Sequence, residues 1–393
     1  MGDRVGPVKE GKIMGRLDQT GRTVIQVYGG RPEKHGSIED YFVLLTRTLR
    51  ERGYRNLFVF DKAPNANLSE LYRTAGAEIV VLPPPRNRRF DLEAMRSFYR
   101  LFREIKPEVV HCHFGYFDAA VAARLAGIRN VVWTKHTFQG KGAYYRRVHP
   151  LKTFFSTIFL MGLVSKKVIS VSERGKKELL LYHVPASKIE RVYLGIDLLR
   201  FSHQEPLREL RRELGVSDEE RLITCISHAR PEKGLEYLVR AASEARKKRK
   251  DFKVLIVGGG PLTENLRALA AKLSLGETIL FGGIRNDVER ILAVSDFTVL
   301  PSLNEGLPLV SIESLAAGKP IIATNVAGNA EVVIDGKTGF LVMAADYEAL
   351  SERIVTLLSN TDLLKTMAQC CREKSLSFDV KSGVAETLRV YGL

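Results

Sequence analysis

Cysteine is scarce. Four occur in 393 residues, at positions 112, 225, 370 and 371, and none has a paired spacing. That excludes a disulfide-stapled scaffold and a zinc ribbon, and it suits a reducing compartment. Long apolar runs are also lacking. The longest, residues 153–165, lies between Lys152 and Lys166 and falls short of the ~18 residues a membrane span needs. Residues 1–21 are polar and glycine-rich, without the apolar centre of a secretory leader, and are expected to form a flexible or loosely docked tail. The expected location is the cytoplasm, with room for a peripheral position at the inner face of the cell membrane. No D-x-D sequence occurs, so the carboxylate pair that usually holds a manganese–nucleotide complex is missing. No aromatic-glycine RNA motif or zinc-finger spacing occurs either, and nucleic acid is not an expected partner.

Acidic residues are absent from residues 119–172, against nine basic ones. The imbalance is regional. The net charge is +15 overall, +16 over residues 1–200 and −1 over the remainder. One half thus carries the whole positive field. It suits an anionic partner such as a lipid surface or a charged acceptor, or it is simply a solvated basic face. At 45% hydrophobic and 27% charged, the chain has a soluble globular composition, with length for two or three domains.

Hydrophobic patterning then shows two rounds of alternating strands and helices. Short β-branched or apolar runs at 23–28, 56–60, 78–82, 109–110, 131–134 and 167–171 read as strands; 37–52 and 92–105 have helical spacing. A second round follows, with strands at 222–227, 253–257, 279–281, 297–300 and 321–324 and helices at 235–248, 262–273, 287–294 and 307–317. Residues 196–218, polar and containing Pro206, read as the linker. The expectation is an α/β protein of two Rossmann-like units with parallel sheets, and a ligand held where the carboxyl ends of both sheets meet.

The chemistry concentrates after two strands. In PSLNEGLPLVSIE (residues 301–313), Gly306 permits an unusual backbone angle and Pro308 suits a first helical turn. Amides near 307–310 would form an anion site. Glu313, one turn on, suits vicinal hydroxyls such as those of a ribose, and Glu305 could hold sugar hydroxyls. In RPEKG (residues 230–234), Arg230 and Lys233 can both reach a diphosphate and neutralise charge on a departing phosphate without a metal. His111 and His113 alternate onto one face of a strand, with Cys112 on the other; structural or acceptor-side roles are expected rather than a metal site. Residues 144–171 mix basic and aromatic residues with an apolar stretch, which suits either an interfacial amphipathic helix or a buried one. Cys370 and Cys371 read as core packing in a late helix.

The chain resembles the retaining glycosyltransferases of the GT-B fold, in glycosyltransferase family 4. Their E-x7-E signature is matched by Glu305 and Glu313; ARPEKG (229–234), VGGGP (257–261), SDFTVLPS (295–302) and DGKTGFLV (335–342) also match. In the first half HGSIED (35–40), VVHCHF (109–114), TKHTF (134–138), ISVSE (169–173) and LGID (194–197) fit more loosely, with Ser37 standing where a second glycine is usual. The resemblance implies a first domain (22–200) for the acceptor, a second (201–372) for the donor, and a last segment (373–393) crossing back. It implies ribose binding by Glu313, sugar binding by Glu305, and contacts from the backbone of Gly306, Leu307, Pro308 and Leu309. Arg230 and Lys233 would stabilise the diphosphate, His136 would abut the sugar, and Gly36, Ser37 and Gly259 would approach the donor. No metal or other cofactor is implied. The expected partners are a nucleotide-sugar donor and a glycan or glycolipid acceptor, in lipopolysaccharide, glycolipid or other cell-surface glycan synthesis. The rival readings are a sugar-nucleotide epimerase and a non-catalytic sugar-nucleotide binding protein on the same fold.

Overall fold

A computed structural model describes residues 22–29, 35–82, 91–114, 116–136, 157–202 and 208–393. The expected N-terminal tail, and the part of the 144–171 run before residue 157, lie outside the described residues.

Two wholly parallel sheets form the frame. The first has the order β3-β2-β1-β4-β5-β6-β7. Its strands are β1 Arg22–Tyr28, β2 Tyr54–Phe60, β3 Ala77–Val81, β4 Val109–His113, β5 Val131–Lys135, β6 Lys167–Ser170 and β7 Ile189–Arg191. The second has the order β10-β9-β8-β11-β12-β13. Its strands are β8 Arg221–Ile226, β9 Phe252–Val257, β10 Ile279–Gly283, β11 Phe297–Leu300, β12 Ile321–Thr324 and β13 Gly339–Val342. Each sheet reverses its winding once, between β1 and β4 and between β8 and β11. At such a reversal neighbouring loops diverge and leave a crevice at the carboxyl edge. The two Rossmann-like units of the α/β expectation are therefore present.

The strands are near-continuous apolar runs because helices cover both faces. β4 shows the consequence of alternation. His111 and His113 face the side that carries Phe42 and Tyr391, whereas Cys112 packs in the opposite cluster with Ile25, Val110 and Trp133. The helix Thr157–Val164 belongs to that same cluster through the fully buried Met161. Of the two readings of the 144–171 run, its described part is thus a packed helix. Lys188 Nζ donates to the carbonyls of Gly162, Leu163 and Ser165, which satisfies that helix's C-terminal end.

The linker region is more ordered than its polarity suggested. It holds a 3-10 turn, Leu198–Phe201, and the helix Arg208–Glu213, whose Leu210 is buried. The expected boundary at residue 372 falls inside the helix Thr361–Ser375; the chain turns at Leu376–Phe378 instead. The helix Val380–Tyr391 then crosses onto the first sheet, burying Val384, Leu388 and Tyr391 in its core. Burial of an aliphatic side chain of this size stabilises by about 1.5–3 kcal/mol, so this helix is an integral part of the first core. The crossing needs a close approach at Gly383, where a Cβ would sit 2.4 Å from the Leu194 carbonyl oxygen. All four cysteines are free thiols; Cys371 is buried, but Cys370 is only partly so and is not core.

Candidate active site

The loop after β8 begins with Arg230 in an extended conformation, makes a 3-10 turn over Pro231–Lys233, and leaves through Gly234 at φ +60° into the helix Leu235–Lys248. That glycine is forced. A Cβ on Gly234 would lie 2.3 Å from the carbonyl oxygen of Pro301, in the loop after β11. The Leu303 amide donates to the Glu232 carbonyl at 2.9 Å, so the two loops are fastened backbone to backbone. Gly234→Ala is therefore expected to destabilise the protein by about 1–3 kcal/mol, read as a lowered urea midpoint with unchanged slope.

This docking brings the chemistry together. Lys233 Nζ donates to Glu305 Oε1 at 2.6 Å, and Ser302 Oγ donates to the same oxygen at 2.7 Å. Glu305 is buried; Lys233 is half-buried and Arg230 exposed. Thr324, whose hydroxyl donates to the Ser302 carbonyl, and Asn329, whose amide donates to the Thr324 carbonyl at 2.9 Å, brace this loop from below. The helix after it starts two residues later than expected, spanning Leu309–Ala316 with Pro308 at the N-cap. Gly306 is not among the residues with positive φ. The tight fit there belongs to Gly328, where a Cβ would meet the Gly306 carbonyl oxygen at 2.2 Å. Gly306 and Leu307 form the turn into the helix. Among the described residues the Leu309 and Val310 amides find no acceptor, so the helix start remains a place for an anion. Glu313 follows on the second turn.

Gly258 and Gly260, at φ +125° and +157°, are required by the backbone of residues 227–229; a Cβ on Gly259 would make only ordinary contact, with Ile284. The glycine demand after β9 therefore falls on its neighbours, and no steric constraint of this kind acts at Gly259.

The other domain supplies the facing wall. Gly36 is the extended N-cap of the helix Ser37–Glu51, and the buried Ser37 opens it. Ser37 Oγ donates to Glu313 Oε1 at 2.6 Å, a bond between the two domains. Arg174 reaches across to the Glu305 carbonyl at 3.2 Å, and the carboxylate of Glu331 accepts the Glu173 and Arg174 amides, both at 2.8 Å. Arg200 bridges Asp40 of one domain and Glu289 of the other. The sequence marks several of these residues singly, Ser37, Glu305 and Glu313 among them, but not their pairing across the domains, since the members of each pair lie far apart in the chain.

His136 follows β5 at the carboxyl edge. Its Nε2 lies 3.0 Å from His113 Nδ1, and its ring stacks on Phe114 with centroids 4.1 Å apart. Phe114 has φ +58°, a conformation costing a bulky residue about 1–3 kcal/mol, and it is held by stacking on His136 and edge packing on Tyr28. Burial pulls His136 down to about 3, so it is neutral at pH 7. Both ring nitrogens of His111 and of His113 have hydrogen-bond partners, which agrees with structural roles. In the first domain Glu39 is buried and pushed up to about 7 by desolvation.

Two family models match the chain: "Glycosyltransferase Family 4" over residues 38–200 and "Glycosyl transferases group 1" over residues 207–374. Among curated relatives, a putative glycosyltransferase EpsD of Bacillus subtilis is 24% identical over 78% of this chain and 83% of its own length. The UDP-Gal:alpha-D-GlcNAc-diphosphoundecaprenol alpha-1,3-galactosyltransferase of Escherichia coli is 29% identical over 72% of this chain and 74% of its own. The crystal structure of Anabaena HepE in complex with UDP superposes with a TM-score of 0.79 at 20% identity, covering 94% of this chain and 99% of that one. The two matched regions together take in the first sheet from β2 onward, the whole second sheet and the loops that join Lys233 to Glu305, and so the chain is a glycosyltransferase of the GT-B fold, its halves matching the family 4 and group 1 models.

Proposed function

We propose that this enzyme transfers a sugar from a nucleotide-diphosphate donor to an acceptor hydroxyl, with retention at the anomeric carbon and without a metal. The observation that carries this reading is the Lys233–Glu305 pair beside the open start of the helix Leu309–Ala316. Lys233, Arg230 and the helix amides bind the diphosphate and stabilise the charge that grows as it leaves. That supply of positive charge, with no D-x-D sequence, is the argument for metal independence. Glu305 holds the sugar hydroxyls and Glu313 the ribose, for which Ser37 must yield or share its oxygen. His136 stands by the sugar from the opposite domain. The backbone of Gly36, Gly259, Gly306, Leu307, Pro308 and Leu309 lines the donor's path. No further carboxylate takes the place of a nucleophile in this set, so a front-face displacement follows, in which the departing phosphate oxygen takes the acceptor proton. Closure of the two domains excludes water and limits donor hydrolysis.

The acceptor sits on the first domain. Its basic excess suits a lipid-linked or anionic acceptor at the inner face of the membrane, and the acceptor of the galactosyltransferase relative, a diphosphoundecaprenol, is of that chemistry. Cell-surface glycan assembly is the corresponding setting.

A panel of nucleotide sugars screened by thermal shift, followed by transfer assays and anomeric analysis of the product by NMR, tests the reaction. Activity should survive EDTA; complete loss rescued by manganese would overturn the metal-free mechanism. An inverted product would overturn retention. Sedimentation with vesicles carrying phosphatidylglycerol should show binding that fades as salt is raised, and no binding at low salt would remove the membrane assignment.

A further inference from the structure

A chain of hydrogen bonds runs from the backbone of the first helix to His136, and its direction is set at one end. The Thr46 hydroxyl donates to the Phe42 carbonyl at 2.7 Å. A carbonyl can only accept, so the proton on Thr46 Oγ1 is committed there. Thr46 Oγ1 must then accept from its other neighbour, Asn56 Nδ2, at 2.8 Å. With its NH2 so placed, Asn56 turns Oδ1 toward Gln26 and accepts from Gln26 Nε2 at 3.3 Å. Gln26 Nε2 also donates to the Tyr391 hydroxyl at 3.2 Å, which leaves Oε1 as the only part of that amide facing His113. Oε1 lies 2.9 Å from His113 Nε2, and the contact requires a proton on that nitrogen. Reversing any one of these bonds would place two lone pairs, or two protons, against each other somewhere along the chain.

Every member up to His113 is buried: Gln26 and His113 are 0% exposed and Asn56 2%. No water competes for these groups, and an unmade bond here costs the full desolvation penalty. Burial also holds His113 well below its ordinary pKa, with the neighbouring His111 and His136 adding to the effect, so the ring is neutral. A neutral imidazole with its proton on Nε2 has a lone pair on Nδ1. That lone pair faces His136 Nε2 at 3.0 Å.

We infer that Gln26 and His113 are positioning residues that hold His136 in its Nε2–H tautomer, so that His136 Nδ1 meets the donor sugar as a hydrogen-bond acceptor and never as a donor. His136 Nδ1 has no partner of its own among the described residues, and its ring is kept in plane by the stack on Phe114. A hydroxyl of the sugar thus gives its proton to His136. A sugar whose corresponding group can only accept, such as a fluorine or a carbonyl, meets two lone pairs and is rejected. A side branch fastens the arrangement to the end of the chain. Tyr391 accepts from Gln26 and its hydroxyl lies 2.6 Å from His111 Nδ1, and His111 Nε2 lies 2.7 Å from Thr134 Oγ1. The last helix therefore helps to fix the tautomer of a residue in the cleft.

The tautomer assignment stands on the hydrogen bonds and on the buried His113 being neutral; its meeting with a sugar rests on the proposed function. The test treats the two separately. Long-range 1H–15N NMR of the full-length protein with 15N-labelled histidine, assigned by the signals lost in His136→Gln, should show His136 protonated at Nε2 and bare at Nδ1. A proton at Nδ1, or on both nitrogens at pH 7, would overturn the inference without touching the reaction. Gln26→Leu removes the acceptor for His113 and should convert His136 to a mixture of tautomers. In transfer assays this variant should lose about 10- to 100-fold in kcat with donor KM changed less than about twofold. An unaltered His136 spectrum in folded Gln26→Leu would also overturn the inference. A wild-type protein that shows the Nε2–H tautomer but transfers no sugar would overturn the sugar contact alone. Should Gln26→Leu not fold, the wild-type spectrum decides.

Discussion

Lys233→Ala is expected to lower kcat by about 100- to 1,000-fold, while donor affinity changes far less. The reason is the timing of charge. A bound nucleotide sugar already has a charged diphosphate, which Arg230 and the amides of the helix start at Leu309 can hold. The negative charge on the leaving oxygen grows only as the glycosidic bond breaks, and an interaction that strengthens at that moment appears in kcat and not in binding. Lys233 is placed for it, fixed by its 2.6 Å bond to Glu305 and by the fastening of its loop to the one after β11. Equal losses in kcat and in donor affinity would contradict this role. A stability cost comes with the change, because Glu305 is left buried beside only Ser302. Losing one partner of a fully buried pair costs about 3–5 kcal/mol. Here it costs less, since the Lys233 side chain is 25% exposed and water can replace part of it. Lys233→Arg separates the effects: it restores the ion pair's charge but not the point geometry, so it should regain stability more fully than rate.

Acid should destabilise this protein steeply between pH 6.5 and about 4.5. His111, His113 and His136 are all held below the ordinary histidine value by burial, His136 to about 3. The unfolded chain takes up their protons as pH falls through 6.5, and the native state does not. The unfolded state therefore binds more protons, and native stability, fully present above 6.5, is lost as pH falls. Each such histidine contributes a slope of about 1.4 kcal/mol per pH unit. Glu39 works the other way. Its native pKa, pushed up to about 7, lies above the unfolded value of 4.5, so its contribution is present in acid and is lost as pH rises through 7. Between pH 4.5 and 6.5 it cancels roughly one histidine and leaves a net loss on acidification worth about two. Urea unfolding at pH 5 and pH 6.5 measures this directly, and His111→Gln should flatten the slope. Equal midpoints at the two pH values, with wild-type protein, would show that these rings are not kept neutral in the native state.

The strand and helix expectations fared best where a periodic apolar run ends on a marked punctuation. The helix Leu92–Ile105, bounded by Asp91 and Pro107, and the helix Leu235–Lys248, opened by Gly234, match their expected bounds. The helix at Leu309 starts two residues later than the sequence predicts because Pro308 fits a first turn as well as it fits an N-cap. The short elements in the polar stretch 196–218 carry no readable period, because each holds one buried anchor, Phe201 in the turn and Leu210 in the helix.

From the sequence alone came the α/β alternation, the two-unit division, and the candidate site residues of the second domain. These rest on local causes: hydrophobic period, turn glycines, and charged side chains within a few residues of a strand's end. The contacts that complete the cleft could not be read that way. Ser37 against Glu313, Arg174 against Glu305, and Gln26 between Asn56, Tyr391 and His113 join residues up to 365 positions apart. A hydrogen bond depends on the position of two atoms to within a fraction of an ångström, and only the packing of one sheet against its helices, and of the last helix across both, fixes that position. Which proton sits on which nitrogen of His136 is the furthest instance, since five buried side chains and one backbone carbonyl must be in place before the question has an answer.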